Sequence, residues 1–352
     1  MKKTKIFLLL FILVSLIEFS YSQDSIVKAK TLPEDQEAEK FYNSGITNFS
    51  SKKFTEAVAD FDKAISIKPT FEKAFYNRGI TKLEIKNYKG AIEDFNKTVE
   101  MNPQSADAFF SRGQSKQSLM DMAGAQADYS KAIEVKPTHA QAFYYRGEIK
   151  FENKDYKGAL EDFNQAIRNK SDYAYAYNDR GSAKRQLEDY DGAIADYNKA
   201  LILNSDMAFA YNNMASAKKK KNDKKGALKD YSDAIKLKPD YYVAYNNRGS
   251  LKFETDDLKG AIADFTEAIK IKSDYAFAFN NRASAKFKLK DYKGSIEDCD
   301  AAIKLNPEYG YSYLNRGIAK EMIRDNEGAC KDWKKAASLG IDVAKNYIRD
   351  CK

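Results

Sequence analysis

The side chains that could carry chemistry in this chain are a single histidine, three cysteines, and charged and amide residues that recur at a fixed interval. A histidine metal site, or a Ser–His or Cys–His nucleophile, would have to use His139. His139 follows Pro137 in a turn-forming stretch, and we expect it at the surface. Cys299, Cys330 and Cys351 are not spaced like the ligands of a metal site. The sequence therefore predicts no metal, no cofactor and no catalytic activity.

The recurring charges keep a constant spacing. At intervals of 34 residues the chain places an Arg in seven units, a Lys one helical turn later in eight, and then an Asp, as in Arg248, Lys252 and Asp264. The Asp occurs in every unit, at Asp60, Asp94, Asp128, Asp162, Asp196, Asp230, Asp264, Asp298 and Asp332. We interpret the set as ion pairs that join two helices. A basic row that binds an acidic ligand is the alternative.

These charges sit in nine units of 34 residues that begin at Ala38 and continue without insertion or deletion. Position 4 is aromatic, position 8 is Gly or Ala, position 20 is small, and position 32 is often Pro. Positions 4, 8, 11 and 12 share one helical face, and positions 20, 24, 27 and 28 share another. A polar turn separates them, so each unit is predicted to be a helix hairpin. Such hairpins bury their apolar faces by stacking into a solenoid.

The unit length and the aromatic-4, Gly-8, Ala-20, aromatic-24, Ala-27, Pro-32 pattern resemble the tetratricopeptide repeat. The resemblance covers Ala38 to about Val343 and implies an all-α, right-handed superhelical solenoid of nine helix hairpins. The chain departs from the pattern where Lys224 and Asn326 replace the aromatic at position 17, and where Cys299 replaces it at position 24. We expect looser packing at these departures.

By this resemblance, positions 2, 5, 6, 9, 12 and 13 of each first helix face an inner groove. Asn fills position 5 or 6 in most units, although it is a mediocre helix former. In superhelical O-linked GlcNAc transferases an Asn ladder at position 6 holds a peptide backbone, and such amides can both donate and accept. The predicted partner-binding residues are Tyr175, Asn178, Phe209, Asn212, Asn213, Asn246, Asn247, Ser250, Phe277, Asn280, Asn281 and Asn315. The alternative is that the Asn residues recur because the repeats were duplicated and because their amides form hydrogen bonds between helices, without any role in ligand binding.

The first residues of the chain are predicted to be a targeting segment. Lys2, Lys3 and Lys5 precede an apolar run, and small residues before Gln23 suit a cleavage site. We expect residues 1–22 to be a cleaved signal peptide, with no transmembrane span left after cleavage; an uncleaved anchor is the alternative. Residues 23–37 are interpreted as a flexible leader. The predicted location is the periplasm or the outside of the cell.

The C-terminal end is predicted to close the solenoid. Residues 342–352 suggest a capping helix with Val343, Tyr347 and Ile348 on its packed face. In an oxidising compartment we expect a disulfide between Cys330 and Cys351, which lie on the last hairpin and at the end of the cap. All three cysteines reduced is the alternative.

Composition narrows the class of partner. The net charge of +8 arises from 59 basic and 51 acidic residues, a mixed surface without the basic field of a nucleic-acid binder. The run Lys218–Lys225 could meet phosphate, lipid or an acidic protein, or could be a solvated helix end. We therefore predict a non-catalytic scaffold that binds a protein or an extended peptide, of unknown oligomeric state. A structural subunit of an envelope assembly, using its convex face or ends, is the alternative.

Overall fold

The computed structural model describes residues 33–349 and 351, and this part of the chain contains nineteen helices and no strand. Eighteen helices form nine hairpins in sequence order, which confirms the predicted all-α solenoid. The first helices are α1 Pro33–Ser50, α3 Glu72–Glu84, α5 Ala106–Ser118, α7 Ala140–Glu152, α9 Ala174–Gln186, α11 Ala208–Lys220, α13 Tyr242–Glu254, α15 Ala276–Lys288 and α17 Gly310–Met322. The second helices are α2 Phe54–Ile67, α4 Tyr88–Met101, α6 Met122–Val135, α8 Tyr156–Asn169, α10 Tyr190–Leu203, α12 Lys224–Leu237, α14 Leu258–Ile271, α16 Tyr292–Leu305 and α18 Asn326–Ser338. The last helix is α19 Ala344–Ile348.

Each hairpin is closed by the same turn. The residue at position 15 has a left-handed backbone in all nine repeats, with φ between 59° and 68°, yet it is never Gly. The next residue is Asp or Asn in eight repeats and caps the second helix, as where Asp155 accepts from the Gly158 amide at 2.9 Å. A Cβ on Gly158 would lie 2.2 Å from Asp155 Oδ2, so the cap requires Gly at that position.

The hairpin core depends on close approach of its two helices. The ring at position 24 packs against the small residue at position 8, so that a Cβ on Gly249 would lie 2.8 Å from Phe265 Cε1. Ala at position 27, such as Ala234 and Ala268, is fully buried between helices. Small residues therefore recur because a larger side chain would push the two helices apart.

The recurring Arg and Lys pair with the recurring Asp, as the spacing predicts. In seven repeats the Arg Nε donates to one carboxylate oxygen at 2.8–2.9 Å, and Nη2 donates to the other. Arg248 Nη1 also donates to Ser232 Oγ, at 3.0 Å, on the second helix of the preceding hairpin. The Lys Nζ adds a contact, at 2.8 Å for Lys252 and Asp264. The carboxylates therefore join the two helices of each hairpin, the Arg Nη1 contact reaches the preceding hairpin, and these cations do not form a free basic row.

The two ends of the described chain differ from the expectations. The first helix begins at Pro33, so the last residues of the segment predicted as leader are helical. Helix α19 is shorter than the predicted cap, and Val343 is exposed instead of packed. The ring of Tyr347 packs on Trp333 at 5.0 Å, and a disulfide joins Cys330 to Cys351 with the Cα atoms 5.7 Å apart. The signal peptide predicted for residues 1–22 lies outside the described residues.

His139 is buried, with 6% of its surface exposed, so the prediction of a surface position is wrong. Its Nδ1 accepts from the Ala142 amide at 3.2 Å and caps α7, while Nε2 lies 3.3 Å from Asp107 Oδ1. Its ring also packs on Phe110 at 4.8 Å. The turn-forming sequence indicated exposure, but packing between repeats covers the ring.

Candidate functional site

The candidate site is the surface formed by the first helices. First helices of successive repeats contact one another, and α15 and α17 do so most closely. The first helices are therefore the inner layer of the solenoid. We call the surface that they present the groove, defined by positions 2, 5, 6, 9, 12 and 13 of each repeat.

Asn side chains in the second half of the groove are paired across repeats. The position-6 amide nitrogen donates to the position-5 amide oxygen of the preceding repeat at 2.9–3.3 Å, in the pairs Asn213–Asn178, Asn247–Asn212, Asn281–Asn246 and Asn315–Asn280. The four position-5 residues are only 3–8% exposed. These four lie between helices and not on the open surface of the groove, so hydrogen bonding between helices explains why Asn occupies position 5.

The position-6 Asn residues are half-buried and keep unused polar atoms. Each uses one amide N–H for its partner, which fixes the orientation of the side chain. Among the described residues, no donor contacts Oδ1 of Asn213, Asn247 or Asn281. Each of these amides therefore offers an oriented acceptor and a second N–H to a ligand.

Aromatic rings flank the amides at position 2. Tyr175, Phe277 and Tyr311 are 47–52% exposed, which is unusual for large rings in a folded chain. The rings of Tyr175 and Phe209 stack with their centroids 6.0 Å apart. Ser250 is half-buried and donates to the backbone oxygen of Asn246 at 2.9 Å. The predicted groove residues are thus divided between exposed rings, oriented amides, and buried amides that hold them.

An acidic cluster interrupts the amide row between repeats 4 and 5. The Tyr144 hydroxyl lies 2.7 Å from Asp179 Oδ2 and 2.9 Å from Glu148 Oε1. Burial, aided by the negative charge of Asp179, raises the pKa of Glu148 to about 7. Burial also raises the pKa of Asp179. The two carboxyl groups border a cavity of about 240 Å³ that Phe151 and Arg185 also line.

The comparisons with known proteins agree with this architecture. Sequence models of the tetratricopeptide repeat match residues 38–71, 72–105, 119–174, 174–207, 210–241, 242–275 and 276–309. The chain belongs to the tetratricopeptide repeat (TPR) family. A comparison with curated proteins finds none that matches this TPR chain.

Several solved structures resemble the TPR solenoid described above. The APC/C hetero-tetramer Cut9–Hcn1 matches with a TM-score of 0.57 and 15% identity, over 82% of this chain and 57% of that one. The C-terminal part of a TPR repeat-containing protein from Cytophaga hutchinsonii gives 0.55 and 16%, over 68% and 98%. Yeast Tom70 gives 0.50 and 14%, over 90% and 96%. At these identities the likeness shows the fold alone.

Three of the six lysines in the run Lys218–Lys225 pair with carboxylates of the solenoid. Lys218 lies 2.6 Å from Asp230 of the same hairpin, and Lys219 lies 2.6 Å from Glu254 of the next hairpin. Lys221 contacts Asp191 of the preceding hairpin. Half of the run therefore takes part in ion pairs within and between hairpins.

Sequence reasoning missed the Tyr144–Glu148–Asp179 cluster of the TPR groove. It occurs once and lacks the periodic signal that identified the amides. The signal that could have found it is the break in the pattern, where Asp179 occupies position 6, which is Asn in the next four repeats, and Glu148 occupies position 9, which is Ser in the next four repeats.

Proposed function

We propose that this TPR protein is a non-catalytic scaffold that holds an extended segment of a protein partner in the groove. The observation that carries the proposal is the row of position-6 amides, each fixed by a buried Asn and each with an open oxygen. An extended backbone presents alternating N–H and C=O groups, so an amide with one acceptor and one donor can bind it without reading its side chains. The exposed rings at position 2 would pack against apolar side chains of the same segment.

The charge distribution favours a peptide over a polyanion. The seven Arg side chains of the hairpins are held by buried carboxylates, as with Arg248 and Asp264. A nucleic acid would need free cations along one face. The acidic pair Glu148 and Asp179 lies in the same groove and would repel phosphate.

We also propose that the protein works outside the cytoplasm after removal of residues 1–22. The apolar run and basic start support this, and the Cys330–Cys351 disulfide suits an oxidising compartment. The described residues contain no helix long and apolar enough to cross a membrane. N-terminal sequencing of protein from its native cells should begin at Gln23; a chain that begins at Met1 would contradict the cleavage.

Substitution of the position-6 amides tests the groove proposal. We expect the triple variant Asn213→Ala, Asn247→Ala, Asn281→Ala to lose most binding to an immobilised library of extended peptides. A control replaces three exposed Asn residues outside the groove, Asn198 on α10, Asn326 on α18 and Asn346 on α19, with Ala. The control should bind like the wild type. Equal binding by the triple variant, with an unchanged circular dichroism melt, would rule out the amide row as the peptide contact.

A further inference from the structure

A second cavity of the groove lies between repeats 8 and 9. It has a volume of about 240 Å³ and a largely apolar wall made by Phe253, Phe287 and Ile318. Ser284, Ser295, Asn315 and Lys288 complete the lining. An apolar cavity of ~150 Å³ in another protein admits benzene, so this one is large enough for an aromatic ring.

Repeat 8 lacks the aromatic ring that the other repeats carry at position 24. Position 24 holds Phe, Tyr or Trp in the other eight repeats, whereas here it holds the smaller Cys299. In the cavity at the same register between repeats 4 and 5, the position-24 ring of Phe163 forms part of the wall. Between repeats 8 and 9 the wall instead includes Ser295, one turn before Cys299 on the same helix. The lining of this cavity therefore includes position 20, which does not line the cavity between repeats 4 and 5.

Ser295 supplies a polar group that has no partner. Position 20 is Ala in the other eight repeats, so its hydroxyl is specific to this hairpin. Ser295 is 1% exposed, and among the described residues its Oγ has no hydrogen-bond partner. A buried hydroxyl without a partner costs roughly 1–3 kcal/mol. A ligand that brings a polar group to it would recover part of that cost.

Repeats 5 and 6 show which side chain fits beside the Ser at position 9. In repeats 5 and 6 the position-24 ring is a tyrosine whose hydroxyl contacts the Ser at position 9, at 3.2 Å for Tyr197 and Ser182 and at 3.1 Å for Tyr231 and Ser216. Repeat 8 keeps that Ser, as Ser284, but has no ring to meet it. The Ser284 hydroxyl instead accepts from Asn315 Nδ2 at 3.2 Å, which ties the cavity wall to the amide row.

We propose that this cavity is an anchor pocket for a tyrosine side chain of the peptide bound in the groove. The inference rests on the proposed function and adds its side-chain specificity. The phenol ring packs against Phe253, Phe287 and Ile318, in place of the ring that Cys299 does not supply. Its hydroxyl group contacts the hydroxyl groups of Ser284 and Ser295, which line the same cavity. The amide of Asn315 lies at the rim, where the peptide backbone enters.

The direct test uses p-cresol, the side-chain analogue of tyrosine, and toluene, the analogue of phenylalanine. Titrations of the mature protein are followed by NMR at the Ile318 methyl groups. We expect saturable binding of both, with p-cresol tighter. Ser295→Ala should reduce the preference for p-cresol over toluene by about three- to tenfold, because one hydrogen bond is lost. This variant places at position 20 the Ala that the other repeats carry, so it should fold.

A filled-pocket variant controls for binding elsewhere. Cys299→Tyr reproduces in repeat 8 the combination of Ala, Ser and Tyr found at Ala215, Ser216 and Tyr231 in repeat 6. It should lose p-cresol binding and melt at the wild-type temperature or above. Retained p-cresol binding at Ile318 in Cys299→Tyr, or no saturable binding in the wild type, would overturn the pocket.

A peptide library separates this inference from the proposed function. Peptides captured by the wild type should be enriched in tyrosine at one site, and Cys299→Tyr should remove that enrichment. Captured peptides with no tyrosine preference would overturn the anchor pocket and leave the groove proposal standing. Binding of p-cresol without capture of any peptide would instead overturn the groove proposal, and with it the peptide role of the pocket.

Discussion

At the scale of single residues, repeats 2–9 each bury an aspartate at position 23, and among these its partners differ only in repeat 6. Asp264 is held by Arg248 through two hydrogen bonds, in addition to Lys252. Asp230 is as deeply buried, but Met214 takes the position of the Arg and only Lys218 reaches the carboxylate. Burial consequently raises the pKa of Asp230. The two aspartates occupy the same register, so they form a matched pair for mutation.

We predict that Asp264→Ala costs more stability than Asp230→Ala. Removing Asp264 leaves a half-buried guanidinium without its carboxylate, which costs about 3–5 kcal/mol. Removing Asp230 leaves only the flexible side chain of Lys218 without its partner, so the loss of folding stability should be smaller by at least about 1 kcal/mol. Urea unfolding of both variants measures the difference. Equal losses would mean that the Arg adds nothing to the pair.

Glu148 is a second residue whose surroundings set its behaviour. Its pKa is raised from an ordinary value of ~4.3 to about 7, chiefly by burial and then by the charge of Asp179. The carboxyl groups of Asp179 and Glu152 and the hydroxyl of Tyr144 face it. The native state therefore holds more protons than the unfolded state between these two pKa values. Stability is predicted to fall as the pH rises through this window.

Glu148→Gln should remove this penalty. We expect the variant to match the wild type at pH 4 and to exceed it by about 3–4 kcal/mol at pH 8, because the raised pKa no longer opposes folding. Urea unfolding at a series of pH values gives the comparison. Glu161→Gln, an exposed change on α8 away from this cluster, is the control and should not alter the pH profile. A Glu148→Gln profile parallel to that of the wild type would contradict a raised native pKa.

At the scale of elements, the hairpin turn carries backbone strain. Lys290 has φ 63° in the turn before α16, a conformation that favours Gly. We predict that Lys290→Gly stabilises the protein by about 0.5–1 kcal/mol, because the left-handed backbone is nearly free of cost for Gly. Glu297→Gly, at an exposed site within α16, should instead destabilise by about 1 kcal/mol. Thermal melts of the two variants should move in opposite directions.

The cap is the other element with a specific stabilising feature. The disulfide joins Cys330 on α18 to Cys351, which follows the end of α19, across a sequence separation of 21. Closing a loop of this length stabilises by about 3 kcal/mol in the chain-entropy account. Cys351→Ser should therefore speed hydrogen exchange in α18 and α19 while leaving the amides of α9 unchanged. Uniform loss of protection along the chain would mean that the cap and the central repeats unfold together.

At the scale of the whole molecule, stability should vary along the solenoid, because each hairpin contacts mainly its sequence neighbours. Among residues 33–349, repeat 1 has a neighbouring hairpin on one side only, and its Asp60 is held by Ser44 and Asn48 instead of Arg and Lys. We predict faster hydrogen exchange in α1 and α2 than in α13 and α14. Mass spectrometry of exchanged peptides measures this. Equal protection would indicate cooperative unfolding of the whole array.

The sequence by itself determined the hairpin, the register and the ion pairs. A period of 34 residues fixes which positions share a face, and strict placement of Gly, Ala and aromatic residues leaves one way to stack them. Arg248 and Asp264 could be paired before the structure because the same spacing recurs in other repeats. Regularity of this kind is local, so it can be read along the chain.

Only the tertiary structure decided the features that depend on contacts between helices that are not adjacent in the chain. It buried His139 against a preceding repeat, and it divided the Asn residues into a buried set and a half-open set, as with Asn246 and Asn247. It also placed Glu148 beside Asp179. It formed a cavity lined by Ser295, one helical turn from Cys299, which occupies a position that is aromatic in the other repeats. Each of these results depends on distances between helices and on access to water. A one-dimensional pattern specifies neither, because both arise from packing.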